Sequence, residues 1–388
     1  MLQEPSGLPV TRVGIVGGGQ LGRMMVYAAL RLGIETAVMD PDPECPCAEL
    51  AGRFFTADLG DAEAIRRLAR DVDVVTYEIE HVNTDALREV EEGGTLVLPG
   101  PESLAVIQDK REQRARLSEH GLPGPRWSEV DGPQDPGIEA FGFPSVQKLR
   151  RGGYDGRGVA VLTDPTSERL SGPSLLEEKV DVAQELSVVC VRDRLGHTDA
   201  YPVARMEFDP EANICTRVYA PADVPESVAA RARDVALGTV VALDLVGTAA
   251  VELFLTRAGE ILVNEVAPRP HNSGHLSIDA ADTGQFEQHL RAVCGLPLGS
   301  TRQHSPAVMV NLLAEPGATG KPVIAGYARA MAIPGLSLHL YGKARVKSRR
   351  KMGHATVIAG DLERARQLAD QAAGALRIHG THRAEESE

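Results

Sequence analysis

Residues 263 to 275, VNEVAPRPHNSGH, place an acid (Glu265), an arginine (Arg269), two histidines and two prolines on one non-helical stretch. The preceding segment, GTAAVELFLTRAGEIL, is apolar on both sides of a turn at Gly259 and carries a second acid, Glu252. Folded as a hairpin, it would put Glu252 and Glu265 on paired, buried strands. Two carboxylates in such a place repel unless a cation lies between them. Oxygen donors with no softer ligand nearby point to magnesium, which readily shares its coordination with substrate phosphates, and Arg269 offers a planar fork for such an anion. The plain alternative is a salt bridge between Glu265 and Arg269. His271 and His275 lie four apart, but Asn272, Ser273 and Gly274 would break any helix between them, so this is not a helical zinc motif. These histidines are expected to orient the loop or to touch substrate.

A second group of cations lies upstream. FGFPSVQKLRRGGYDGRGVAVL reads as two strands flanking a loop in which Gly152, Gly153, Gly156 and Gly158 alternate with Arg150, Arg151 and Arg157, close behind Lys148. Free backbone N–H groups and inward-reaching cations suit a flap over phosphates, a mobile basic hairpin being the alternative. SLLEEKVDVAQELSVVCVRD then predicts a strand, an acidic hinge and another strand carrying Glu185.

The elements around these residues can be read by period. TRVGIVGGGQLGRMMVYAALRLGIETAVMD is a strand, a glycine turn and a helix, and Asp40 falls where a dinucleotide fold places its ribose-binding acid. A nicotinamide-linked oxidoreductase therefore stands beside a purely structural tight turn. VDVVTYEIEH predicts a buried strand whose end presents Glu78 and Glu80, at a ligand-binding edge or in solvent. ESLAVIQDKREQRARLSEHGLPGP predicts one basic helix closed by Gly121 and Pro123, with Lys110 a candidate phosphate contact and Arg111, Arg114 and Arg116 a solvated face. Near the end, LHLYGKARVKSRRKMGHATVIAG predicts a strand pair joined by a turn with Lys343, Arg345, Lys347, Arg349, Arg350 and Lys351, a second anion site or a subunit contact. A last helix capped by Asp361 follows.

The 388 residues suffice for two or three cores. With 54 acidic against 41 basic side chains the net charge is -13, which argues against nucleic-acid or anionic-membrane partners. No apolar run suits a bilayer span and the amino terminus lacks a secretory pattern, so a cytoplasmic protein with small-molecule partners is expected. Five scattered cysteines make no disulfide framework, and Cys45 and Cys47 lack a second pair for zinc.

Taken together, the glycine-turn α/β domain, the flap, the acidic hinge and the Glu252/Asn264/Glu265 hairpin resemble the ATP-grasp superfamily. Four motifs in order, GGGQLGRM, RRGGYDGRG, NEVAPRPHNSGH and K-x-R…RRKMGH, resemble the N5-carboxyaminoimidazole ribonucleotide synthetases, the ATP-dependent carboxylases of purine synthesis. The resemblance covers nearly the whole chain. It implies an α/β and α+β multidomain fold: a Rossmann-like pre-ATP-grasp domain (1–102), a linker helix and lid (103–183), a metal and nucleotide subdomain (184–303) and a small β-rich C-terminal segment with a final helix (304–388). It implies that Lys110 and Lys148 contact the nucleotide phosphates, that Glu177, Lys179 and Val180 meet adenine largely through backbone groups, and that Glu185 takes the ribose. Glu252 and Glu265 would hold Mg2+, with Asn264 beside them. Gly19, Gln20, Glu78, Tyr154, Asp155 and Arg157 would contact aminoimidazole ribonucleotide, whose phosphate would meet Lys343 and Arg350. Arg269, His271 and Asn272, with Lys148, would surround bicarbonate and the transferred phosphoryl group.

The implied reaction is phosphoryl transfer from ATP to bicarbonate, giving carboxyphosphate, then attack by the ribonucleotide's amine, in a homodimer. One departure is Arg205 in YPVARMEF, where the family shows an acid or amide, and no ligand role is assigned to that strand's second half. Another ATP-grasp ligase, such as a formate-dependent glycinamide ribonucleotide transformylase, would keep Lys148, Glu185, Glu252 and Glu265 but lack GGYDGRG and PRPHNSGH. A non-enzymatic nucleotide sensor is the remaining alternative.

Overall fold

The structure is a computed structural model that describes residues 10–153 and 158–383. The first unit is a parallel five-stranded sheet of Arg12–Val16, Glu35–Asp40, Arg53–Thr56, Val74–Tyr77 and Leu96–Val97, in the order third, second, first, fourth, fifth. Its strands are apolar along nearly their whole length because helices cover both faces. The order reverses between the first and fourth strands, and ligands enter open α/β sheets at such a crevice. The glycine turn after Val16 and the acids after Tyr77 meet there. Helix Gln20–Leu32 starts directly after the glycines and stops at Gly33, whose left-handed φ of 69° lets its N–H reach the carbonyls of Ala29 and Leu30.

The basic segment after this sheet is two helices, Pro101–Gln108 and Lys110–Glu119, rather than the one expected. Asp109 is extended between them (φ -119°, ψ 106°), and its carboxylate caps the second helix at the N–H of Arg111. The same carboxylate receives Arg150 at 2.8 Å, so the break ties the linker to the loop after the Lys148 strand. Periodicity does not show such a break, because it is held by a residue 41 positions away.

The lid is an antiparallel four-stranded sheet in the order Trp127–Val130, Ser174–Glu178, Ser145–Leu149, Val159–Leu162. The large antiparallel sheet runs Ile261–Ala267, Gly247–Thr256, Val182–Arg192, Ala204–Phe208, Cys215–Ala220, Ala307–Leu313, Lys351–Ile358 and Leu336–Leu340, with Thr198–Ala200 beside Val182–Arg192. The C-terminal segment is therefore continuous with it, since Ala307–Leu313 pairs with Cys215–Ala220. Leu186, Val188 and Cys190 of the central strand pack with Ala232, Ala236 and Val240 of helix Glu226–Ala242, the alanines letting helix and sheet approach closely. At the far end Asp361 caps helix Leu362–Ala375 by accepting from Arg364, and Ala365, Leu368, Ala369 and Ala372 are buried. Among the described residues no helix is long and apolar enough to cross a membrane.

Candidate active site

Register builds the site. Glu252 lies directly opposite Glu265 on one side and Ser187 on the other, so these three side chains form a row across three strands. Glu185, two residues from Ser187, projects from the same face. Glu185, Glu252 and Glu265 line a cleft of about 420 Å³, together with Val146, Lys148 and Val159 of the lid and Lys110, Gln113 and Arg114. Burial pushes the Glu252 carboxyl up to about 8, and repulsion from Glu265 and Glu185 adds to the effect. Desolvation within the cleft acts in the same direction on Glu265, whose side chain is nonetheless about half exposed, but Lys110, at 2.8 Å, overturns it and holds that carboxyl below the usual range. One acid of the pair thus has its cation and the other does not. Hard oxygen donors arranged in this way fit a divalent cation that draws its remaining ligands from phosphates and water. Among the described residues no group of three or more potential ligands closes a complete cage.

Lys148 sits 2.7 Å from Glu177 and 3.2 Å from the Asn264 side-chain oxygen. Arg114, expected on a solvated face, is 4% exposed. It donates to Glu177 at 2.6 Å and to the carbonyls of Val263 and Asn264 at 2.6 and 2.8 Å, bracing the lid against the Glu252/Glu265 hairpin. Burial alone would raise the Glu177 carboxyl, yet Arg114 and Lys148 pull it down to about 2. Here the structure differs from the expected adenine role: the Glu177 carboxylate faces two cations, and its backbone lies in register with Trp127 and Val146 inside the sheet. Lys179 and Val180 lie past the strand end and line the cleft, as does Glu185. Phe208 and Phe254, which periodicity marks only as strand residues, give this part of the cleft apolar walls.

Arg269 pairs with Glu80 at 2.8 Å, so the simple bridge to Glu265 is replaced by one that links the hairpin to the first sheet. His271 places Nε2 3.6 Å from a Glu252 oxygen, and burial, with Arg269 and Lys351 nearby, lowers its pKa to about 3. The turn that carries it is built around Gln285, which accepts from the His271 N–H at 2.9 Å and donates to the His271 carbonyl at 2.7 Å. Gly274 is required there, because a Cβ would lie 2.4 Å from the Gln285 oxygen. Asn272, expected beside bicarbonate, instead exchanges two hydrogen bonds with Asn311 at 2.8 and 2.7 Å and is not among the cleft-lining residues. His275 is fully buried and stacks on His354 at 4.6 Å, so it belongs to the core.

The glycine turn follows the tight-turn alternative rather than the dinucleotide one. The N–H of Gly18 donates to Asp40 at 2.7 Å, those of Gly19 and Gly22 to Glu78, the latter at 2.6 Å. A dinucleotide reading needs these amides and the Asp40 carboxylate for its ligand, and the protein's own acids use them. Burial raises the Glu78 pKa, opposed by the two amides. Gln20 accepts from Lys343 at 2.6 Å, which brings the basic turn onto the glycine turn across 323 positions. Arg350 donates to the Arg345 carbonyl at 2.9 Å within that turn. Arg205, which stands where the family shows an acid or amide, packs over the Tyr219 ring at 3.9 Å. Tyr154, Asp155 and Arg157 lie outside the described residues.

Sequence reasoning missed Arg114, Glu80 as the partner of Arg269, and the serines behind His271. Arg114 had a usable signal, since it stands four residues from Lys110 and shares its helix face. Glu80 and Ser187 had none, because their partners are distant in sequence, whereas Ser273 stands only two positions from His271.

A nine-stranded sheet, a lid and a shared acidic row define an ATP-dependent ligase of the ATP-grasp class. The family model for the ATP-grasp domain matches residues 115–286, that for the ribonucleotide synthetase pre-ATP-grasp domain residues 10–108, and that for the phosphoribosylaminoimidazole carboxylase C-terminal domain residues 307–368. The chain is 39% identical to the N5-carboxyaminoimidazole ribonucleotide synthase of Bacillus subtilis, over 90% of this chain and 91% of the relative. The crystal structure of the N5-carboxyaminoimidazole ribonucleotide synthetase from Thermotoga maritima superposes with a TM-score of 0.88 at 42% identity, covering 95% of this chain and 99% of that one. The Aspergillus clavatus N5-carboxyaminoimidazole synthase, solved with ADP and 5-aminoimidazole ribonucleotide, matches with a TM-score of 0.84 at 31% identity over 94% and 99% of the two chains. The chain belongs to the N5-carboxyaminoimidazole ribonucleotide synthase family.

Proposed function

We infer that this chain catalyses the ATP- and bicarbonate-dependent carboxylation of 5-aminoimidazole ribonucleotide to N5-carboxyaminoimidazole ribonucleotide in purine biosynthesis. The carrying observation is the row of Glu185, Glu252 and Glu265 in one cleft with Lys110, Lys148 and Arg269, in a chain related to these synthases over nearly its whole length.

Phosphoryl transfer to bicarbonate asks mainly for positioning and charge neutralisation, and no protein nucleophile is needed. Lys148 and Lys110 face the nucleotide phosphates, Lys179 and Val180 offer free strand-end backbone to adenine, and Glu185 accepts from the ribose. Glu252 and Glu265, beside Asn264, would hold Mg2+, which supplies further charge neutralisation at the phosphates. Arg269 and His271 bind bicarbonate and the transferred phosphoryl group, giving ADP and carboxyphosphate. The ribonucleotide amine then attacks the carboxyl carbon, releasing phosphate and giving the carbamate. Gly19, Gln20, Glu78, Lys343 and Arg350 receive the ribonucleotide, with its phosphate toward the two cations, and Glu78 must then exchange glycine-turn bonds for substrate. The division into units 1–102, 103–183, 184–303 and 304–388, and a homodimer, complete the reading; a solution mass of twice 41.4 kDa would support the dimer and a monomeric mass would exclude it.

The test is ADP release with MgATP and bicarbonate, with and without aminoimidazole ribonucleotide, on the wild type and Glu265→Ala. Release that needs the ribonucleotide, carries labelled bicarbonate carbon into an acid-labile product and vanishes in the variant supports the reaction and the metal site. Equal release without the ribonucleotide sinks the substrate assignment.

A further inference from the structure

Behind the cleft a short hydroxyl chain ends on His271. Ser187 Oγ lies 2.7 Å from Ser273 Oγ, and Ser273 Oγ lies 2.9 Å from His271 Nδ1. Both serines are almost fully buried, at 1% and 2% exposure. The Ser273 backbone N–H also points at His271 Nδ1, at 3.3 Å. A backbone N–H can only donate, so Nδ1 must present its lone pair, and the imidazole hydrogen resides on Nε2. The Ser273 hydroxyl facing that lone pair must then donate to it as well. Its oxygen is left to accept, and Ser187 donates.

The polarity of the chain is thereby set from Ser187 to Ser273 to Nδ1. At its far end the Nε2–H is directed at Glu252, 3.6 Å away, and into the cleft. The opposite tautomer would aim a lone pair at every anion bound beside it. Ser187 owes its place to register, since it stands next to Glu252 in the cross-strand row.

We propose that the hydroxyls of Ser187 and Ser273, together with the Ser273 backbone N–H, hold the tautomer of His271, the two serines acting as positioning residues that make it a hydrogen-bond donor to the anionic group that passes between ATP and the acceptor. This rests on the placing of His271 beside bicarbonate given above. Neither serine reaches the reacting atoms. Their effect is on the direction of one hydrogen.

The experiment combines two-bond 1H–15N correlation spectra of 15N-histidine-labelled protein with steady-state ADP release, for the wild type, Ser273→Ala, Ser187→Ala, Ser273→Thr and His271→Gln. The signals missing from His271→Gln assign the resonance. The wild type should show His271 protonated at Nε2. In Ser273→Ala only the longer backbone N–H, at 3.3 Å, still faces Nδ1, so the Nδ1–H form should become populated, with kcat lowered about tenfold, within the range of losses seen when partners orienting a functional histidine are removed, and KM for MgATP within about twofold. Ser187→Ala should move both readouts the same way by less, and Ser273→Thr, which keeps the hydroxyl, should restore them. An unchanged tautomer in Ser273→Ala overturns the proposal even where ribonucleotide-dependent ADP release is intact. A changed tautomer with wild-type kcat overturns it too. Wild-type kcat in His271→Gln sinks the placing of His271, and ADP release that ignores the ribonucleotide sinks the reaction itself. Should Ser273→Ala not fold, Ser187→Ala takes its place: an unchanged tautomer, or a changed one with wild-type kcat, overturns the proposal there as well.

Discussion

Glu177 shows how a buried charge is kept. It is 3% exposed and meets Arg114 at 2.6 Å and Lys148 at 2.7 Å, so all three ions left water together. Removing one member of such a group leaves the others uncompensated, which costs roughly 3–5 kcal/mol. Glu177→Gln should lower the urea midpoint by a corresponding amount while leaving the carboxylate row in place. The sign of the pH dependence follows from a carboxyl held down at about 2. Its stabilising contribution is complete above the ordinary carboxylate range and is lost as pH falls toward the folded value. The gap between wild type and Glu177→Gln should therefore stay level from about pH 8 to 5 and narrow only below about 4.5. A gap that closes between about pH 8 and 6 would show that Glu177 is not the ion this geometry requires. Lys148→Met should abolish ADP release, because it removes both the cation proposed to face the nucleotide phosphates and a partner of Glu177.

At the scale of elements, the turn carrying His271 is specified by three contacts from outside it: Gln285, Asn311 and Ser187. Gly274→Ala forces a Cβ against the Gln285 side chain at 2.4 Å. Overpacking of this kind costs about 1–3 kcal/mol. The expected result is a lower melting temperature and a larger fall in kcat than in nucleotide affinity, since the lid and hinge are untouched; calorimetry and ATP titration check it. Weaker ATP binding with normal kcat would mean the turn acts on the nucleotide instead. The glycine turn of the first sheet is the matching case. Glu78→Ala leaves the N–H groups of Gly19 and Gly22 without their carboxylate, each worth about 1–3 kcal/mol when buried and unpaired, so lower stability accompanied by weaker ribonucleotide affinity is expected.

At the scale of the whole molecule, His275, His289 and His354 are buried among the described residues, His271 is largely so, and all four are held neutral. His271, His275, His289 and His354 all have pKa values lowered by desolvation, those of His271 and His289 to about 3. His289 pins the first sheet to the large one, with Nε2 2.8 Å from Thr76 Oγ1. In the unfolded chain each would titrate near the ordinary value of about 6.5, so below that pH the unfolded state binds more protons and stability falls as pH falls. The loss is up to about 1.4 kcal/mol per histidine per pH unit. Denaturation in urea should require markedly less denaturant at about pH 5.5 than at about 7.5, and His289→Gln should flatten the dependence. Equal midpoints at the two values would contradict the burial.

Local pattern was enough for much of this protein. The Glu252/Glu265 hairpin, the hinge before Glu185, the strand pair around the basic turn and the Asp361-capped helix all announce themselves, because period, turn residues and caps act over a few neighbouring positions. Even the row of acids follows once two strands are known to pair about Gly259. Partner choice across distance was decided only by the tertiary structure. Arg114 became a buried brace, Arg269 took Glu80, Asn272 took Asn311, and Glu78 filled the turn that a dinucleotide would need. The physical reason is that burial changes the worth of a charge or an amide severalfold, and burial is a property of what packs overhead rather than of neighbours in the chain. The contact of Lys343 with Gln20 is the limiting case: each residue type was legible where it stood, and only the closing of the fold brought the two together.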